Sequence, residues 1–572
     1  MSSNRPSMMA LPSAKSPSGH PWILPHFRES LRYPWSASCE GLPPRHIFYD
    51  AKFYPYHTSL TTAPVFALVG NREIVICRPS TIRGEGLVRI HVFRDLEPVP
   101  DDWSIHLSSI LNSCAWNYVE QSVPLISVAG PSGLIKVLNA LTGDLVTTLV
   151  GHGAEINDLA THPLYPWILA SASGDHSIRI WDLRRKIELG ENACLIICGH
   201  GHGHKEPVLT CAWHSSGTYL ISGGQDHMVC IWTIPDLAPA SLFFDVGGKP
   251  AKALRSSAET KVIHYPHFAT SAVHSNYVDC VCFYGDLILS KAAEENKIVL
   301  WMVTGFDSRA STPSQECAPG AGTFQDTRSG FLPQSACSRE SERTGPQEPL
   351  RASSIPLFHR LLEFHVPFSE LFYMRFSLLM PTQTHPHLHP VLAIGNTKTK
   401  VFFWDLMCLE IGHDAGMTSP NDDDKFKRPD SKSKRKAGEP FNRRALEGYS
   451  ASDVRSESPL ASSSRRSSSV ITTANASSPA MSSLQEPEVS TTGTSPALFD
   501  PLSIVPSMLP RMNKYRINDP FMPVPAHYSH TPNVNYHLSA RQAAWSPCGR
   551  WCVIAGESGS KDAMAAIYDR WV

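Results

Sequence analysis

The chain has 572 residues, 42% of them hydrophobic, and 51 Lys and Arg against 52 Asp and Glu give a formal net charge of −1. That balance excludes a global electrostatic case for nucleic-acid or membrane binding, and the length exceeds one compact core, so several domains or a repeat array with insertions is expected. No run of 18 apolar residues occurs, Met1–His20 is too polar and proline-rich for a signal peptide, and the 14 cysteines show no paired CxxC spacing. A soluble intracellular protein with buried free thiols, without a membrane partner, metal or cofactor, is the expectation.

In chain order, residues 1–45 hold Ser, Pro and scattered aromatics without periodicity and read as a disordered N-terminal arm. From Ile47 short apolar runs begin. Phe66–Gly70 and Glu73–Cys77 mark a first blade, and Leu111–Thr148 a second. The next two are a repeat: Gly151-His152 leads to Asp175 and Trp181, and Gly201-His202 or Gly203-His204 leads to Asp226 and Trp232, with Asp and Trp six apart both times. Val278–Trp301 gives a fifth, Phe372–Asp405 a sixth and Arg541–Trp571 a seventh. Gly-His near the start of such a unit and Trp at its end is the WD-repeat signature. The fold class is therefore an all-β, seven-bladed WD-repeat β-propeller over 46–572, a closed ring that hides its sheet edges. Two polar stretches, 307–354 and 417–532, lack the apolar residues to offset their ordering entropy and read as disordered insertions between blades.

Within the repeats Ala170 and Ala172 alternate with Ser171 and Ser173, the pattern of half-buried strands joined by tight turns. His152, Asp175 and Trp181, with Ser171 or Ser173, are expected to form a buried structural network, and Asp226 and Trp232 the same in the next blade. Structural roles are preferred here over catalysis or metal binding. His385, His387 and His389 lie among prolines and read as a polar loop. The basic cluster at 425–436 reads as a nuclear-localisation patch or a solvated charge run.

Longer strings carry a resemblance. Val262-Ile263-His264-Tyr265-Pro266-His267-Phe268, His274-Ser275-Asn276-Tyr277-Val278-Asp279-Cys280-Val281, Gly285-Asp286-Leu287-Ile288-Leu289-Ser290-Lys291 and Phe372-Tyr373-Met374-Arg375-Phe376-Ser377 closely resemble the Polycomb-group EED family. With its long insertions the chain resembles a fungal-type homologue. The resemblance implies a nuclear, non-enzymatic scaffold of Polycomb repressive complex 2. Such a scaffold holds a helix of the SET-domain methyltransferase in a groove on one face, assembles with other subunits of the complex, and reads a trimethylated histone H3 tail on the other face. A quaternary ammonium donates no hydrogen bond, so it is held by aromatic faces. The family's cage carries over to Tyr49, with Tyr54 as fallback, Phe372 and Tyr373, with Arg541 at the mouth; the remaining aromatic position is here Asn112. The alternative is a substrate receptor of a cullin-type ubiquitin ligase, because Trp181-Asp182-Leu183-Arg184 fits a WDxR adaptor box. No nucleophile–base pair, phosphate-binding loop or metal spacing points to an enzyme.

Overall fold

The computed structural model describes residues 24–33, 46–56, 63–80, 82, 87–94, 110–119, 123–199, 201–235, 237, 260–320, 327–332, 356–382, 386, 388–411, 519–532, 537–559 and 562–570. All of them belong to one compact unit. Seven sheets form its blades, each built on four antiparallel strands in the order inner to outer, and three of them carry a short fifth strand beyond the outer one. Blade 1 is Asp50–Phe53, Phe66–Gly70, Glu73–Pro79 and Leu87–Arg94. Blade 2 is Ser113–Asn117, Leu125–Ala129, Ile135–Asn139 and Leu145–Leu149. Blades 3 and 4 begin at Ile156–Thr161 and Val208–Trp213. Blades 5 to 7 begin at Val278–Tyr284, Ser377–Leu379 and Leu538–Trp545.

The inner strands run side by side in one direction around the ring. Trp116 Nε1 donates to Lys52 O at 2.8 Å, Thr161 Oγ1 to Trp116 O at 2.7 Å and Trp213 Nε1 to Ala160 O at 3.1 Å, tying equivalent ends of blades 1 to 4 together. The ring therefore has an entry face, where inner strands start, and an exit face, where they end. Ala170, Ser171, Ala172 and Ser173 are all buried, rather than half-buried as their alternation suggests. A central strand has a neighbouring blade on each side, so the serine face is filled as well as the alanine face.

Parts of the segments expected to be disordered form strands. The arm over 1–45 contains the strand His26–Tyr33, which pairs antiparallel with Ala563–Asp569 and is the outer strand of blade 7. Its partner strand would otherwise present an open edge, and the chain's start closes a ring its end leaves incomplete. Arg28 Nη1 meets Asp569 Oδ2 at 3.0 Å and stacks its guanidinium on Trp551 at 5.0 Å. The insertions lie within blades, between third and outer strands, not between blades. In blade 5 the outer strand Phe358–His365 follows the first, and in blade 6 Tyr528–His530 falls inside the second. Of 307–354, residues 307–320 and 327–332 are described: Arg328–Ser329 pairs with Phe268–Thr270 as a fifth strand of blade 4, and Phe331 packs on Phe306 at 5.0 Å. Of 417–532, Pro523–Val524 pairs parallel with the outer strand of blade 5. Average composition hid these short anchoring runs; residues 321–326, 333–354 and 417–518, with the basic cluster at 425–436, lie outside the described residues.

Deleting residues 1–33 should lower the melting temperature by several degrees, because it removes the outer strand of blade 7 and exposes a long sheet edge. An unchanged melt, followed by circular dichroism, would contradict closure by this strand.

Candidate methyl-lysine site

The repeat residues assemble as the spacing predicts. His152 Nδ1 lies 2.8 Å from Asp175 Oδ2, His152 Nε2 lies 2.7 Å from Ser171 Oγ, and Trp181 Nε1 donates to Ser171 Oγ at 2.8 Å. Ser171 is the hydroxyl member; Ser173 instead donates to Glu155 O at 2.8 Å. In the next blade the histidine is His204, 3.0 Å from Asp226, with Ser222 and Trp232 completing the chain at 2.8 and 2.9 Å. A third network, unanticipated, joins His274, Glu295, Ser290 and Trp301 at 2.7–2.9 Å. Its signal was present: Glu295 also precedes its tryptophan by six residues. Burial holds His152 and His274 below the ordinary imidazole value. A neutral ring suits the order Trp N–H to Ser, Ser O–H to His, His Nδ1–H to carboxylate, which satisfies every member.

Two consequences are measurable. Asp175→Ala should cost roughly 1–3 kcal/mol, the range for orphaning a buried partner, and denaturant titration would read it. Burial opposes ionisation of Glu295, but His274 and Ser275 outweigh it and hold the carboxyl down to about 2. Its contribution to stability is thus complete above the ordinary carboxylate value of about 4 and is lost as pH falls towards 2. Glu295→Gln should therefore show a shallower acid loss of stability over that window than the parent. Identical slopes would contradict the assignment.

Around the central channel a further network, of a different kind, was invisible in the sequence. Asp50 Oδ2 accepts from Ser113 Oγ and from Cys114 N–H, both at 2.9 Å. Asp158 accepts from Ser113 Oγ at 3.2 Å, and from Thr210 Oγ1 and Cys211 N–H at 3.1 Å each. Arg375 reaches across from blade 6, donating to Asp158 Oδ1 at 2.9 Å, Asn157 O at 3.1 Å and Leu209 O at 3.0 Å. Lys52 Nζ stands 3.3 Å from Asp50 and 3.7 Å from Asp158. Burial pushes Asp158 up, yet Arg375 and Lys52 outweigh it and hold the carboxyl below its usual value.

The aromatic positions stand on this base at the entry face. Tyr373 has a left-handed backbone, φ 59°, held by its N–H to Asp279 Oδ2 at 3.1 Å, and Asp279 is paired with the buried Lys291 at 3.2 Å. The Tyr373 hydroxyl donates to Asn157 Oδ1 at 2.6 Å, Arg375 lies 5.0 Å from its ring centroid, and the Phe372 ring meets it edge-on at 4.4 Å. Arg541 Nη1 donates to Phe372 O at 2.9 Å, Nη2 bonds Glu557 at 2.7 Å, and its guanidinium sits 5.9 Å from the Tyr49 ring. Tyr49, Phe372, Tyr373 and Arg541 thus form one cluster from blades 1, 6 and 7. Tyr49 and Asn112 precede the inner strands of blades 1 and 2 in matched settings. Each enters past a glycine, Gly70 or Gly130, whose added Cβ would lie under 2 Å from the carbonyl of Ile47 or Ile110. Tyr54 follows the strand that Tyr49 precedes and packs on Trp116 at 5.3 Å, which removes it as a fallback.

On the exit face, a cleft of about 570 Å³ lies between blades 3 and 4, lined by Leu164, Tyr165, Ile234, Leu237 and Pro313 among others. The WDxR arginine is not offered to an adaptor: Arg184 is buried, bonds Asp182 at 3.1 Å and stacks on Trp167 at 4.1 Å. His389 Nδ1 meets Asp405 Oδ2 at 2.8 Å, while Asp405 Oδ1 accepts from Cys408 N–H at the start of the helix Leu406–Ile411. That geometry reads as helix capping; His385 and His387 lie outside the described residues.

The WD domain, G-beta repeat model matches residues 143–182 and 194–233. Polycomb protein EED of Chaetomium thermophilum is 37% identical over 361 residues, 63% of this chain and 56% of that protein. Polycomb protein esc of Drosophila melanogaster is 29% identical over 60% of this chain and 66% of its own. A chain in the crystal structure of the Chaetomium thermophilum polycomb repressive complex 2 superposes with a TM-score of 0.64 at 28% identity, covering 96% of this chain and 98% of that one. The chain is similar to the EED family of Polycomb proteins. A chain of the same complex, solved with H3K27me3 and H3K27M, matches equally, with a TM-score of 0.64. The chain spans 56% and 66% of the two curated relatives' lengths, and its ring carries the cluster at the entry face.

Proposed function

We propose that the chain is the non-catalytic scaffold and methyl-lysine reader of a nuclear, Polycomb repressive complex 2-like histone H3 methyltransferase. The observation that carries the reading is the convergence of Tyr49, Phe372, Tyr373 and Arg541 at the entry face. Three aromatic rings from two blades gather there over a hydrogen-bonded base, an arrangement suited to a methylated ammonium. Kinship with a chain of a complex solved with H3K27me3 supports histone H3 as the source of that lysine. The cleft on the exit face is where a helix of the SET-domain catalytic subunit would seat apolar side chains, away from the tail. Other subunits of the complex complete the assembly, and occupancy of the reader site stimulates the methyltransferase. Burial of Arg184 counts against the ubiquitin-ligase alternative. Purification of the tagged chain from native nuclear extract should recover a SET-domain methyltransferase; recovery of a cullin adaptor without one would overturn the proposal.

A further inference from the structure

We infer that Asn112 sets the methylation state this site accepts, shifting preference from trimethyl- to dimethyl-lysine. The inference rests on the reader function proposed above and specifies its ligand. Asn112 N–H donates to Ala129 O at 2.9 Å, which fixes its backbone. The following residue, Ser113, bonds Asp50 Oδ2 at 2.9 Å, so Asn112 lies beside the blade 1 strand that Tyr49 precedes. Ser113 also bonds Asp158 at 3.2 Å, next to Asn157, which receives the Tyr373 hydroxyl. Asn112 therefore stands at the start of an inner strand between the blade that carries Tyr49 and the blade that anchors Tyr373. It is half-buried, and its amide makes no side-chain hydrogen bond among the described residues. Every other polar side chain of this base is engaged: Asp50, Ser113, Asn157, Asp158 and Asp279 all have partners.

The chemistry of the ammonium decides which ligand suits an unpaired amide carbonyl. A trimethylammonium has no N–H, so packing it against Asn112 strips water from the carbonyl and returns no hydrogen bond. A dimethylammonium keeps one N–H and can give it to Oδ1 while its methyl groups rest on Tyr49 and Tyr373. A site built to accept a hydrogen bond rejects the analogue lacking the donor, because the acceptor is then left buried and unpaired. An aromatic at this position would reverse the preference, offering a face to the third methyl and no acceptor to the proton.

The test is titration calorimetry of the full chain with histone H3 tail peptides unmodified, dimethylated or trimethylated at one lysine. The parent should bind the dimethyl peptide at least about threefold tighter than the trimethyl one, the scale of one partly exposed hydrogen bond to a charged group. Asn112→Asp should widen that ratio, and Asn112→Tyr should invert it. If Asn112→Tyr melts below the parent, Asn112→Ala carries the test by losing the dimethyl preference without gaining a trimethyl one. A parent that binds trimethyl-lysine as tightly as dimethyl-lysine, both above the unmodified peptide, overturns the role of Asn112 and leaves the reader function standing. Equal affinity for all three peptides overturns the reader function itself.

Discussion

Arg375→Ala should cost about 3–5 kcal/mol, the penalty for leaving a buried charge without its partner. The guanidinium is buried and ties Asp158 to the backbone of Asn157 and Leu209. Its removal leaves Asp158 with a lysine 3.7 Å away as its remaining cation. Blades 3, 4 and 6 lose their common tie across the channel, so unfolding in denaturant should move to a lower midpoint, with a broader transition if blades uncouple. Arg375→Ala combined with Asp158→Asn should recover part of the loss, because no carboxylate is then left buried and unpaired. A loss under about 1 kcal/mol for the single change would show that water replaces the guanidinium and that the ring does not depend on it.

The second large effect is expected at Tyr373, where alanine should nearly abolish binding of a methylated histone H3 peptide. Each aromatic wall contributes about 0.5–2 kcal/mol, more as the site becomes drier. On the proposed reading Asn112 offers the ligand no aromatic face, so the loss of the Tyr373 ring takes a large share of what holds it. Tyr373→Phe separates the ring from the hydroxyl. It keeps the aromatic face and removes only the 2.6 Å bond to Asn157, so it should weaken binding by a few fold through looser positioning. Tyr54→Ala, at the other end of the blade 1 strand, should leave peptide binding unchanged. Tyr373→Ala with parent-like affinity would place the ligand elsewhere on the ring.

Much of the ring was legible because WD repeats write their packing locally. An acidic residue six before a tryptophan marks the turn and third strand of a blade, and the serine and histidine that complete the network lie within 23 residues of the acid. His204 in place of His202 could not be decided that way, since both follow a glycine and only the turn geometry selects one. Other features are non-local. Arg375 and Asp158 are 217 residues apart and belong to no motif, so nothing short of the closed ring brings them together. The strand at His26–Tyr33 finds its partner near the far end of the chain; its alternation of Phe27, Leu31 and Tyr33 with arginines was a signal, broken by the irregularity between Phe27 and Glu29. Short anchors such as Pro523–Val524 were masked by the polar composition around them. The cluster at the entry face came from resemblance alone, because Tyr49, Asn112 and Phe372 belong to separate blades and share no spacing.

The most direct measurement is the affinity of the parent chain for a histone H3 tail peptide with and without methyl groups on one lysine, read by titration calorimetry. The account predicts saturable binding of the methylated peptide and at least about tenfold weaker binding of the unmodified one, since an ordinary ammonium stays better hydrated and gains less from aromatic faces. Equal affinity for the two peptides would contradict it.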